Sequence, residues 1–171
     1  MNIIYLHGLD SKLSPEKKSV LEQFGNVYAP DVNYYEDRDA IQTILDYYPN
    51  LEIDAVIGSS MGGFAGYHVA NALDKPALLF NPAVKKRSVH QNIPSLNSFN
   101  RLKQIVIGQV DEVVIPRDTL EFLLEDFNPV TDLRLHLVPG LGHNIPVEFF
   151  KEEVSSFFAN TCFNRKINNQ V

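Results

Sequence analysis

The most informative segment of this chain is Asp54-Ala55-Val56-Ile57-Gly58-Ser59-Ser60-Met61-Gly62-Gly63. Its apolar start is followed by a glycine-serine turn and then by small and apolar residues as far as Leu73. Strand, sharp turn and helix in this order are the setting in which a G-x-S-x-G sequence forms a nucleophile elbow. Glycines suit the positions on either side of the turn, where strand and helix nearly touch. The pattern makes Ser60 a candidate nucleophile.

Strand-like and helix-like segments alternate on both sides of this stretch. Short runs rich in β-formers predict six strands, at 3–6, 27–29, 54–57, 76–80, 104–107 and 133–137. Amphipathic or small-residue segments between them predict helices. Such alternation indicates βαβ units, so we expect a three-layer α/β/α sandwich with a mostly parallel six-stranded sheet. The sixth strand alternates apolar and polar residues, which is typical of an edge strand that is wet on one face.

The length of 171 residues predicts one domain, which we place at residues 1–163. Residues 82–102 are interpreted as a small flap, with no room for a large cap domain, and residues 164–171 as a polar tail. A net charge of −6 argues against nucleic acid or an anionic membrane as a partner. With a single cysteine, no signal-like start and no long apolar run, a cytoplasmic location is expected.

Four polar residues follow the ends of predicted strands, namely His7, Ser60, Asp111 and His143. Ligands of parallel sheets bind at the carboxyl ends of the strands, so we expect these residues on one rim. A serine hydroxyl becomes nucleophilic when a base takes its proton, and a histidine oriented by a carboxylate is the usual base. The chain order serine, aspartate, histidine is the one expected of an α/β-hydrolase.

Backbone N–H groups are the expected stabilisers of the oxyanion. The first expected donor is the N–H group of Met61, directly after the candidate nucleophile. The second is the N–H group of Leu9, in the loop after the first strand. We interpret His7 as a brace for this loop. His7 and Asp10 resemble a metal pair, but without a third ligand at clear spacing we expect no metal and no other cofactor.

Two further groups of side chains have open interpretations. Tyr34 and Tyr35 follow the second strand on the same rim, where they either line an acyl pocket or are simply loop aromatics. The run Lys85-Lys86-Arg87 is interpreted as a solvated charge run, with contact to an anionic acyl carrier as the alternative.

With these motifs in place, the chain resembles the α/β-hydrolase superfamily and is similar, more narrowly, to the small YqiA-type bacterial esterases. The shared features are Leu6-His7-Gly8-Leu9-Asp10-Ser11 with lysines at 17–18, the elbow, Asn81-Pro82-Ala83-Val84, Asp111-Glu112-Val113, and a glycine-flanked late histidine, His143. The resemblance extends to about residue 150 and implies esterase activity on short acyl esters. It implies Ser60, Asp111 and His143 as the triad. Because Gln109-Val110 stand where the superfamily often has a closer glycine, Asp111 and Glu112 both remain candidates for the acid.

We therefore expect a serine hydrolase that cleaves the carboxylic ester of a small molecule through an acyl-enzyme. Thioester or small-peptide hydrolysis would use the same residues. The alternative from another class is a hydrolase fold that binds proteins and has an idle triad. A fluorophosphonate probe separates the two, because an enzyme is labelled at Ser60 and a scaffold is not.

Overall fold

The computed structural model describes residues 1–94, 101–126, 129 and 131–168, with side chains as far as residue 161. Strands and helices alternate along these residues. The strands are β1 (Asn2–Leu6), β2 (Asn26–Tyr28), β3 (Ala55–Ser59), β4 (Ala77–Phe80), β5 (Lys103–Gly108) and β6 (Leu133–Val138). The helices are α1 (Pro15–Glu22), α2 (Ala40–Tyr47), α3 (Met61–Leu73), α4 (Pro116–Glu125) and α5 (Val147–Asn168). All six predicted strands are found, with small shifts at their ends.

The strands form one sheet in the order β2-β1-β3-β4-β5-β6. All of its pairings are parallel, which confirms the predicted fold class. β3 lies inside the sheet, where Ile57 is opposite Tyr5 of β1 and Leu78 of β4. Within the described ranges β6 pairs with β5 alone, as expected of an edge strand. The strand that leads to Ser60 is therefore supported on both sides.

Alternate residues of β3 face two separate apolar layers. Val56 packs in a cluster that includes Ile44 of α2 and Phe64 of α3. Ile57 packs in a second cluster with Leu21 of α1 and Phe157 of α5. The sheet is thus covered on both faces, as the three-layer prediction requires, and both faces of β3 contribute to the core.

The expected flap at residues 82–102 is described only in part. Residues 82–94 of the expected flap contain no helix or strand, and Ala83, Val84 and Gln91 are buried. The Gln91 side chain donates hydrogen bonds to the carbonyls of Tyr34 and Asp37, each at 2.9 Å, and so ties this segment to the loop after β2. Residues 95–100 of the flap lie outside the described residues.

The last helix is longer than the sequence suggested. α5 continues to Asn168, into the segment 164–171 that was interpreted as a tail, and residues 169–171 lie outside the described residues. Among the helices that the structure describes, none combines the length and the apolar character needed to span a membrane.

Candidate active site

The turn between β3 and α3 holds Ser60 in an uncommon backbone conformation, with φ 55° and ψ −118°. A non-glycine residue in such a region costs about 1–3 kcal/mol and persists only when its surroundings hold it. The Ser60 N–H donates to the Phe80 carbonyl at 2.9 Å, and the Ser60 carbonyl accepts from the N–H groups of Phe64 and Ala83 at 3.0 Å. The turn is therefore fixed by β4, by α3 and by the segment after β4.

The glycines on either side of the turn allow strand and helix to approach each other. A Cβ added to Gly62 would lie 2.1 Å from the Leu6 carbonyl oxygen, and one added to Gly58 would lie 2.2 Å from the Gly62 oxygen. Both contacts are with backbone atoms, which cannot move aside as a flexible side chain can. The sequence requirement for small residues at these positions follows from this packing.

Asp111 and His143 are in direct contact. His143 Nδ1 lies 2.8 Å from Asp111 Oδ2, and the Asp111 side chain is 0% exposed. The other carboxylate oxygen, Oδ1, accepts hydrogen bonds from the N–H groups of Val113 and Val114 at 2.8 and 2.9 Å. Glu112, the alternative acid, is exposed. Of the two candidates, it is Asp111 that holds the imidazole.

Asn81, directly after β4, is a buried residue of the Asn81-Pro82-Ala83-Val84 motif for which the sequence predicts no separate role. Its φ is 42°. Its Nδ2 donates to the carbonyls of Gly142 and His143, at 3.0 and 3.3 Å, and its Oδ1 accepts from the Gly108 N–H at 2.7 Å. Asn81 thus joins the ends of β4 and β5 to the loop that carries His143. The available signal was an asparagine, a residue that tolerates positive φ, at the end of a buried strand.

His7 fixes the peptide group that carries the Leu9 N–H. The Val32 N–H donates to His7 Nε2 at 3.0 Å, so Nε2 is an acceptor and Nδ1 carries the proton. Nδ1 then donates to the Gly8 carbonyl at 2.6 Å. In a trans peptide this carbonyl and the Leu9 N–H point in opposite directions, so holding one orients the other. The predicted role of His7 as a brace for this loop agrees with these bonds.

A cavity of about 470 Å³ opens on this rim of the sheet, and its wall includes Ser60, His143, Leu9 and Met61. Within the described part of the chain, the Leu9 and Met61 N–H groups have no hydrogen-bond acceptor. No hydrogen bond joins Ser60 Oγ to His143 in these residues either. Catalytic hydrogen bonds are often long in a free enzyme and tighten when substrate binds. The structure thus brings Asp111 and His143 into contact and places His143 and the candidate nucleophile Ser60 on the wall of one cavity.

The two candidate substrate-binding tyrosines lie elsewhere. Tyr34 is buried and packs edge-on against His7, with ring centroids 5.7 Å apart. Tyr35 is exposed, and its hydroxyl donates to Asp10 at 2.9 Å. Neither contributes to the wall of this cavity, so the structure gives no support to the interpretation that they line an acyl pocket there. The alternative interpretation, that they are loop aromatics, fits their positions.

Two of the other histidines, His68 and His136, belong to packing and to an ion pair respectively. His68 packs edge-on against Phe64 and Tyr67, and its burial lowers the pKa of the imidazole to about 4. His136 of β6 is half exposed and pairs with Glu153 of α5 at 2.5 Å. No group of three or more His, Cys, Asp or Glu side chains in the described ranges is arranged to hold a metal ion.

Comparison with known proteins independently supports the assignment of the fold. The model of a family described as "Uncharacterised protein family (UPF0227)" matches residues 2–104. Comparison with curated protein sequences finds no match. Three solved structures illustrate the similarity at the level of the fold.

The first is a protein of the alpha/beta hydrolase superfamily from Xanthomonas campestris pv. campestris, with TM-score 0.65 and 19% identity over 91% of this chain and 98% of that chain. The second is Est1E from Butyrivibrio proteoclasticus, with TM-score 0.69 and 17% identity over 93% and 87% of the two chains. Esterase PE8 has TM-score 0.64 and 16% identity over 97% and 92%. The chain therefore has the α/β-hydrolase fold, which confirms the fold that the resemblance implied.

Proposed function

Because the chain belongs to the UPF0227 family and has the α/β-hydrolase fold, we propose that it is a serine hydrolase that cleaves carboxylic esters through an acyl-enzyme. One observation carries the proposal. The 2.8 Å contact between Asp111 and His143 lies beside the cavity whose wall also contains Ser60. The names of similar structures, a hydrolase-superfamily protein and an esterase, support the same class of reaction.

The proposed mechanism assigns one task to each group. Ser60 Oγ attacks the ester carbonyl carbon while His143 Nε2 takes the hydroxyl proton, and Asp111 holds the resulting imidazolium. The N–H groups of Leu9 and Met61 donate to the oxyanion, where one such donor is typically worth about 3–4 kcal/mol. His143 returns the proton to the leaving alcohol. Water then hydrolyses the acyl-enzyme by the same route.

We further propose that short acyl chains are preferred. The cavity has a volume of about 470 Å³, and Ala83 of the segment after β4 is buried at its wall. A pocket of this size is at the lower end of the range for small-molecule sites, which is roughly 300–1,000 Å³. A small-molecule ester as substrate, the absence of a cofactor and a cytoplasmic location stay predictions from the sequence.

A series of p-nitrophenyl esters from acetate to dodecanoate tests the reaction and the chain-length preference together. We expect turnover to be highest for the short esters and to fall by about 10⁴- to 10⁶-fold in Ser60→Ala. In parallel, a fluorophosphonate probe should label the native protein, and peptide mapping should place the label on Ser60 rather than on the adjacent Ser59. Ordinary turnover by Ser60→Ala would contradict the assignment.

The same experiment distinguishes the alternatives. A hydrolase fold used only for protein binding gives neither turnover nor labelling. Replacing the oxygen esters with matched thioesters and with p-nitroanilide peptides identifies a thioesterase or a peptidase, since these would use the same triad on a different leaving group.

A further inference from the structure

Lys17 is a cation on the wall of the candidate catalytic cavity. It lies in the first turn of α1, where its N–H donates to the side chain of the capping residue Ser14 at 3.3 Å. Its Nζ lies 5.4 Å from the centre of the Phe150 ring of α5. The ammonium group is therefore held between helix, aromatic ring and cavity, on the same cavity as Ser60.

Among the described residues, Lys17 has no carboxylate within ion-pair distance. Nearby lysines differ in this respect, because Lys12 pairs with Asp31 at 2.6 Å and Lys18 pairs with Glu22 at 3.5 Å. Burial lowers the pKa of Lys17, and no described acidic group offsets this effect. A partly buried charge is costly when it lacks a partner.

The cavity as a whole has a charge opposite to that of the protein. The chain contains 21 acidic and 15 basic residues. The charged side chains of the cavity wall are nevertheless Lys12, Lys17, Lys86 and Arg87 against the single carboxylate of Asp10. Lys12 and Lys86 are paired with Asp31 and Asp118, at 2.6 and 3.1 Å, which neutralises part of this excess and leaves Lys17 and Arg87 without a carboxylate partner among the ion pairs of the described residues. A cleft lined by one sign of charge concentrates ligands of the other sign.

We propose that Lys17 binds an anionic group of the substrate, so that the substrate is an ester that also carries a carboxylate or a phosphate. A bound anion would supply the counterion that the described residues do not. This inference rests on the proposed esterase function and adds to it the chemical class of the substrate. The anionic group can belong to the acyl part or to the alcohol part of the ester, and the experiment separates these two cases.

Two pairs of substrates place the charge on opposite sides of the scissile bond. For the acyl side we compare mono(4-nitrophenyl) adipate, an anion, with its neutral methyl ester. For the alcohol side we compare 4-acetoxybenzoate with its methyl ester. The measured quantity is the ratio of kcat/KM for the anionic ester to kcat/KM for its neutral partner.

In the native enzyme we expect this ratio to favour the anion in one of the two pairs. Lys17→Met keeps an apolar side chain of similar length and should lower that ratio by about 10- to 100-fold, the value of a hydrogen bond to a charged group. Lys18→Met removes the same charge from the next residue, which is exposed, and should leave the ratio within about twofold. A change below about twofold for Lys17→Met in both pairs would overturn the inference.

A binding measurement keeps this result separate from the proposed function. Ser60→Ala should bind mono(4-nitrophenyl) adipate or 4-acetoxybenzoate in a calorimeter, and Ser60→Ala with Lys17→Met should bind the same ester about 10- to 100-fold more weakly. If neutral esters are turned over but neither ratio nor affinity depends on Lys17, the inference fails and the esterase stands. If no ester is turned over in a Ser60-dependent manner while binding depends on Lys17, the esterase proposal fails and the anion site stands.

Discussion

Replacing Asp111 with asparagine should change which nitrogen of His143 carries the proton. Asp111 Oδ1 accepts two backbone N–H bonds, from Val113 and Val114, while Oδ2 faces His143 Nδ1. In Asp111→Asn the amide oxygen must take the position of Oδ1, because two donors point at it. The amide NH₂ is then forced toward Nδ1, which must become an acceptor. The neutral imidazole therefore carries its proton on Nε2 and cannot accept one from Ser60.

The expected loss follows from this tautomer. An analogous substitution in a serine protease triad lowers kcat by about 10⁴-fold, which corresponds to roughly 5 kcal/mol of barrier. We expect kcat/KM of Asp111→Asn for p-nitrophenyl butyrate to fall by about 10³- to 10⁴-fold, with fluorophosphonate labelling slowed in parallel. Nitrogen-15 NMR should show the His143 proton on Nε2. The two backbone bonds to the side chain are kept, so the unfolding temperature should change little.

Glu112→Gln is the matched control, since it removes the same charge from the adjacent, exposed residue. Its activity should remain within about twofold of the native value. The reasoning is refuted if Asp111→Asn remains folded and retains more than about a tenth of the native kcat/KM, or if Glu112→Gln is the variant that loses activity.

Three further predictions test other parts of the site and of the core. Asn81→Asp places a carboxylate oxygen against the carbonyls of Gly142 and His143, so kcat/KM should fall by about 10- to 100-fold as the histidine shifts; an unchanged rate in a folded variant would contradict this. Gly62→Ala should lower the free energy of unfolding by about 3 kcal/mol or more, because the new Cβ meets backbone. Gly142→Ala, whose nearest atom would be 3.9 Å away, should be tolerated in the same urea titration. His68, with its pKa near 4, stays neutral in the folded state while the unfolded chain gains a proton below about pH 6.5, so stability should fall by up to about 3 kcal/mol between pH 6.5 and 4. His68→Gln should remove this part of the pH dependence.

The strands and the three candidate catalytic residues could be predicted because their signals are local. Each strand is a short β-rich run, and Ser60, Asp111 and His143 each follow the end of one. The choice between Asp111 and Glu112 could not be made from the sequence. It depends on the geometry of the turn after β5, where the two Val N–H groups hold one carboxylate and leave the other exposed.

Contacts between residues far apart in the sequence could not be predicted. Asn81 bonds to residues 27, 61 and 62 positions away, and nothing in its own neighbourhood indicates them. Lys17 was visible only as a lysine at the start of a helix, because its isolation from carboxylates is a property of the packed structure. Tyr34 was placed on the correct rim, but its side chain packs against His7 instead of the cavity.

The edge strand β6, which precedes His143, should be less stable than the internal strand β3, which precedes Ser60. The candidate nucleophile Ser60 follows the internal strand β3, whereas His143 comes after β6, a strand with one described neighbour and six residues that are all at least partly exposed. During synthesis the candidate base His143 emerges more than eighty residues after Ser60. On gentle heating, fraying of β6 should abolish turnover while most of the protein is still native. Loss of turnover should therefore occur at a lower temperature than global unfolding.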